Sequence, residues 1–180
     1  MLGFNQDEYL TSAREIVAAR KQAEQAADEI FQQEYDALFF ASVGGSLAPM
    51  MAINAFAKEM TTLPVYLEQA AELIHTGHKK LTKQSVVVTL SKSGDTKESV
   101  ELAEWCKAQG IRVVAITKNS DSPLASAAGW HIPMRHKNGV EYEYMLLYWF
   151  FFRLVNRNGE FADYDRFASQ LELLPENLLQ

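Results

Sequence analysis

The sequence contains a single cysteine, Cys106, so an internal disulfide is excluded. That suits a reducing compartment, and a cytoplasmic location is expected. Cys106 falls inside a helical pattern with no histidine near it, which reads as a buried, inert thiol. Basic runs are lacking too. Lys and Arg number 17 against 23 Asp and Glu, for a net charge of −6. No cationic stripe exists for a nucleic-acid partner. The longest apolar run, residues 144–152, falls well short of the roughly 20 residues of a spanning helix, so no membrane partner is expected. Residues 1–7 lack the basic and apolar regions of a signal peptide. Histidines number 4. His75 and His78 are spaced i, i+3, but no cysteine or carboxylate completes a metal set. They read as solvent-exposed, and no metal is expected. His131 and His136 flank a short apolar stretch and read as structural or surface groups.

What is present is ordinary for one globular domain: 180 residues, 48% hydrophobic and 22% charged. Residues 6–34 read as one long helix, with apolar residues recurring at helical spacing and no Pro or Gly. Five short strands follow, at 37–41, 64–67, 85–90, 112–117 and 130–133. Helices are expected at 47–60, 69–75, 97–109, 123–128, 141–156 and 163–179. Ser46 sits where the second helix needs an N-cap, and Gly110 ends the helix at 97–109.

Strands alternating with helices indicate a parallel sheet covered on both faces. The expected fold class is α/β: a three-layer α/β/α sandwich on a five-stranded parallel sheet, flavodoxin-like order 2-1-3-4-5. The run Val86-Val87-Val88 suits a central strand buried on both sides. Sheets of this kind bind ligands where strand order reverses, outside the carboxyl ends of strands one and three. Two loops leave there, Ser42-Val43-Gly44-Gly45-Ser46 and Ser91-Lys92-Ser93-Gly94-Asp95-Thr96. Hydroxyls and glycines ahead of a helix start make an anion cradle. First-turn N–H groups there lack intrahelical partners, and the helix dipole favours negative charge. With the whole protein acidic, phosphate affinity must be local. Lys92 is a possible contact, and Asp95 reads as a helix-start residue.

These residues resemble the sugar isomerase (SIS) domain family. The match rests on Gly44-Gly45-Ser46, on the Ser-x-Ser-Gly-x-Thr element at 91–96, and on residues 117–124 after strand four. It implies the fold above and a phosphosugar ligand. Gly45, Ser46, Ser91, Lys92, Ser93, Gly94 and Thr96 are then the phosphate-binding residues, assisted by backbone N–H groups of 92–96. Within the family the chain is most similar to the N-terminal half of fructosamine-phosphate deglycases, relatives of the isomerase part of glucosamine-fructose-6-phosphate aminotransferase. The implied division is an N-terminal helix (1–36), an SIS core (37–160) and a C-terminal helix or link (161–180) toward a second SIS domain. Aminotransferase-type domains carry a Ser-Thr-Lys element where this chain has Met145-Leu146-Leu147-Tyr148-Trp149, which argues against glucosamine 6-phosphate synthesis.

The resemblance implies an enzyme half that binds a sugar-amine 6-phosphate, with most acid/base groups on the second domain and no cofactor. The alternatives are a single-domain aldose–ketose phosphosugar isomerase and a sugar-phosphate-sensing domain of a regulator. Glu143, at the start of an apolar helix, is the candidate proton-transfer carboxylate, with Glu141 a weaker one. A buried carboxylate of raised pKa suits that role, although a helix-start glutamate favoured by the dipole explains it equally. The helix at 141–156 is apolar nearly all round, which suggests a subunit or domain interface and a homodimer, with core packing contributing.

Overall fold

A computed structural model describes residues 3–135 and 140–180, and His136 lies outside the described residues. The five strands are β1 (Leu38–Ser42), β2 (Val65–Gln69), β3 (Val86–Leu90), β4 (Arg112–Thr117) and β5 (Trp130–Pro133). They pair in parallel in the order β2-β1-β3-β4-β5. The helices are α1 (Gln6–Gln32), α2 (Leu47–Met60), α3 (Ala70–Thr76), α4 (Lys97–Gln109), α5 (Pro123–Ala127), α6 (Glu141–Arg157), α7 (Tyr164–Glu172) and α8 (Leu174–Asn177).

Burial on both faces explains the unbroken apolar strands. Successive side chains of a strand point to opposite faces. Leu38 and Phe40 of β1 therefore pack with Val86, Val88 and Leu90 of β3 into the layer of α1, α2 and α6. Phe39, Ala41 and Val87 pack into the layer of α3, α4 and α5. Cys106 is buried in that second layer, and burial pushes its thiol up to about 12.

Helix α1 starts where Asn5 Oδ1 accepts from Glu8 N at 3.1 Å. Ala19, Ala23, Ala26 and Ala27 are small enough for close helix approach, and with Ile16 and Ile30 they are buried in the first layer. Polar clamps hold α1 in place. Arg153 donates to both carboxylate oxygens of Asp28, at 2.8 and 2.9 Å. Tyr142 donates to the Tyr9 carbonyl at 2.8 Å, and Trp130 donates to Glu29 at 2.8 Å.

Two expectations need correction, and the reading of α6 is narrowed. The apolar character of α6 is largely explained within the chain. Tyr142, Met145, Leu146, Leu147, Trp149, Phe150, Phe151, Phe152, Leu154 and Val155 are all buried. The final helical segment is broken into α7 and α8, because Pro175 lacks an N–H and its ring crowds the preceding turn. His78 is half-buried rather than solvent-exposed. Its ring lies 5.1 Å from that of Phe39 and 4.6 Å from that of Tyr66, and its Nδ1 accepts from Lys80 N at 3.1 Å.

Candidate functional site

Parallel pairing of β1 with β3 brings their carboxyl ends together. Ser42 Oγ donates to the Leu90 carbonyl at 2.7 Å, a buried bond that fixes the two loop origins side by side. The loops at 43–46 and 91–96 therefore leave one edge of the sheet, and each leads into a helix.

The 91–96 loop is tightly closed. Ser91 is 1% exposed, and its Oγ accepts from Gly94 N at 3.1 Å and lies 2.8 Å from Thr96 Oγ1. That hydroxyl pair ties the ends of the loop together. Ser93 is exposed, and its Oγ bonds the Asp95 carboxylate. Lys118 N donates to the Lys92 carbonyl at 3.2 Å, and Leu124 N donates to the Gly94 carbonyl at 3.0 Å. Gly94 turns with φ of 79°. A side chain there would place Cβ 2.5 Å from Ser122 Cβ and 2.6 Å from Thr117 Oγ1. Only glycine has both the backbone freedom and the space.

The 43–46 loop is open by comparison, with Gly44 and Gly45 exposed and Ser46 half-buried. Ser46 does precede α2, yet it is helical itself (φ −68°, ψ −15°), and its side chain makes no capping bond. A short 3-10 turn over Gly44–Ser46 leads into the helix, and Leu47 N bonds the carbonyls of Gly44 and Gly45. The entry is satisfied by backbone, so the Ser46 hydroxyl is not committed to capping.

Glu143, in the first turn of α6, comes within electrostatic range of Lys92. Burial raises its carboxyl above the ordinary range, and the Lys92 ammonium partly offsets that rise. Glu141 is engaged by the Tyr9 hydroxyl. His131 Nε2 lies 2.9 Å from the Thr117 carbonyl, a bond that ties β5 to the end of β4.

Sequence reasoning did not name three residues at the same edge as site residues, although two of them lie in the 117–124 stretch of the family match. Lys118 and Asn119 follow β4 directly, and Arg135 lies just after β5. With Ser93, Asp95 and Asp121 they line a depression of about 460 Å³. The usable signal was position: each stands outside the carboxyl end of a strand, the edge already singled out for β1 and β3.

The sequence pattern of the SIS domain family matches residues 36–152. The chain belongs to the SIS domain family. A curated relative, fructoselysine 6-phosphate deglycase of Escherichia coli, is 25% identical over 151 residues, covering 84% of this chain and 44% of that protein. Arabinose 5-phosphate isomerase KdsD of Pseudomonas aeruginosa is 41% identical over 68 residues, covering 38% of this chain and 21% of that one. Among solved structures, the C-terminal domain of glucosamine-fructose-6-phosphate aminotransferase from Francisella tularensis superposes with a TM-score of 0.73. It is 15% identical, with 96% of this chain and 56% of that chain covered. The chain spans less than half the length of the deglycase it matches. Among the described residues, no helix is long and apolar enough to cross a membrane.

Proposed function

We propose that this SIS domain is the phosphosugar-binding part of a deglycase that cleaves a sugar-amine 6-phosphate into a hexose 6-phosphate and an amino acid. The observation that carries this reading is the closed 91–96 loop, pinned beside the 43–46 loop at the ends of β3 and β1. Gly45, Ser46, Ser91, Lys92, Ser93, Gly94 and Thr96 hold the phosphate there. The deglycase relative, aligned over most of this chain, supports the substrate class.

Binding the phosphate fixes one end of the open-chain sugar and converts the proton transfers into steps within one complex. A proton moves between carbons one and two, giving an imine at carbon one. Water adds there, the amine leaves, and the aldehyde of the hexose 6-phosphate remains. Glu143 supplies one proton-transfer group, and burial, which raises its carboxyl above the ordinary range, suits it to give a proton as well as take one. The other acid/base groups come from a second SIS domain.

Val140, Tyr144 and Tyr148 form a stripe at four-residue spacing along α6, with Phe56 of α2 against Tyr148 at 5.7 Å between ring centroids. Val140 is 73% exposed and Phe56 38%. This surface pairs with a second SIS domain or, for this chain alone, with a second copy.

The test is calorimetric titration with glucose 6-phosphate. Wild type binds, and the double variant Ser93→Ala, Thr96→Ala binds at least about tenfold more weakly. Unchanged affinity in that variant places the phosphate elsewhere. The isomerase match to part of the chain favours a second reading, a single-domain aldose–ketose isomerase. Deuterium uptake at carbon two of a sugar phosphate, catalysed by this chain in heavy water and followed by NMR, decides for that reading.

A further inference from the structure

Two depressions at the carboxyl edge of the sheet share Lys118, Asn119 and Arg135. The one of about 460 Å³ also touches Ser93 and Asp95 of the 91–96 loop. The other, about 610 Å³, runs on to Glu8, Thr11, Ser12 and Glu15 of α1. Each is of a size that takes a small molecule, roughly 300–1,000 Å³. Sharing three residues, the two form one trough. It leaves the loop at Ser93, passes over the ends of β4 and β5, and ends against α1.

Charge along the trough is ordered. Its loop end carries Asp121 and Asp95, the latter bonded by Ser93; its middle is cationic, with Lys118 and Arg135 both exposed. Its far wall is acidic: Glu8 and Glu15 lie seven residues apart on α1, on the same helical face. A phosphate needs neither group, because the 91–96 loop stands at the other end. Beyond Asp95 and Asp121, a ligand that extends from the loop into the trough meets Lys118 and Arg135 and then Glu8 and Glu15. A dipolar amino acid carries the complementary pair, a carboxylate and an ammonium.

We infer that this trough holds the amino-acid end of the sugar-amine phosphate, its carboxylate on Lys118 and Arg135 and its free ammonium facing Glu15. Arg135 presents a planar fork of donors that matches a carboxylate. Asn119 supplies an amide that can donate to the carboxylate or accept from the ammonium. The arrangement selects for the linkage. A lysine joined to the sugar through its side-chain nitrogen keeps both α-groups and satisfies both ends of the trough. An amino acid joined through its α-nitrogen brings only the carboxylate that far and offers no ammonium to Glu15. The inference rests on the proposed phosphate role of the 91–96 loop.

Three probes test it by titration calorimetry: glucose 6-phosphate, fructose joined to lysine through Nε as its 6-phosphate, and that adduct with the lysine α-groups capped as acetyl and amide. The charged adduct binds at least about tenfold more tightly than the capped one. In the double variant Lys118→Ala, Arg135→Ala the two adducts bind alike. Both positions are exposed, and circular dichroism checks that the fold is kept. If wild type binds glucose 6-phosphate yet does not distinguish the adducts, or if the variant keeps the distinction, the trough inference is wrong while the loop reading stands. Binding of none of the three overturns the loop reading and this inference together.

Discussion

Glu143 and Lys92 interact electrostatically at the candidate site, an effect at the scale of single residues. Burial lifts the Glu143 carboxyl above its ordinary value of 4.5, and Lys92 opposes the rise. The folded protein therefore holds this proton more tightly than the unfolded chain does. Its contribution favours folding at low pH and is lost as pH climbs from the ordinary carboxylate value through the raised one. Glu143→Gln removes that loss. The variant is expected to match wild type in thermal stability near pH 4 and to exceed it at pH 7. Lys92→Ala moves the Glu143 titration further upward, which carboxyl chemical shifts followed across pH will detect. A downward move would mean that Lys92 is not the group acting on Glu143.

Helix α6 shows how an element is specified by what it packs against. Phe151 is buried, with its ring 6.1 Å from Phe40 of β1 and 5.3 Å from Phe152. Its neighbour Phe152 reaches Phe167 of α7 at 4.9 Å. One ring thus ties the helix to the sheet, and the next ties it to the following helix. Phe151→Ala leaves a cavity with little freedom to collapse, and a loss of about 3–5 kcal/mol is expected. Urea unfolding reads this as a lower midpoint at an unchanged slope. A loss under about 1 kcal/mol would mean that the α6–sheet contact is not close-packed.

Across the whole molecule, the two sides of α6 divide the work. Its buried side completes the core, and the stripe of Tyr144, Tyr148 and Val140, the residue just before the helix, remains partly uncovered. If that stripe pairs copies of the chain, sedimentation velocity shows a dimer at micromolar concentration, and Phe56→Glu shifts it to monomer. A charge placed in a desolvated apolar contact is costly, while at an exposed position it leaves folding intact. A monomer at every concentration in wild type removes the self-pairing proposal and leaves a second SIS domain as the partner.

Much of this was legible from local sequence. The Val86-Val87-Val88 run required a strand covered on both faces, and Gly110 ends α4 with φ of 75°. Parallel pairing followed from the alternation of strands with helices. The Ser-x-Ser-Gly-x-Thr element was legible as a loop between strand and helix, because its residue types are the ones such a turn requires. Three-dimensional proximity was not legible. The electrostatic effect of Lys92 on Glu143, the steric demand of Thr117 and Ser122 on Gly94, and the convergence of Lys118, Arg135 and α1 join residues far apart in the chain. The apolarity of α6 was ambiguous for the same reason, since a helix apolar nearly all round says that it is covered and not by what. Element type is written in short-range pattern, which chain geometry converts directly into strands and helices. Which side chains share a pocket depends on how the layers pack, and that was decided only by the tertiary structure.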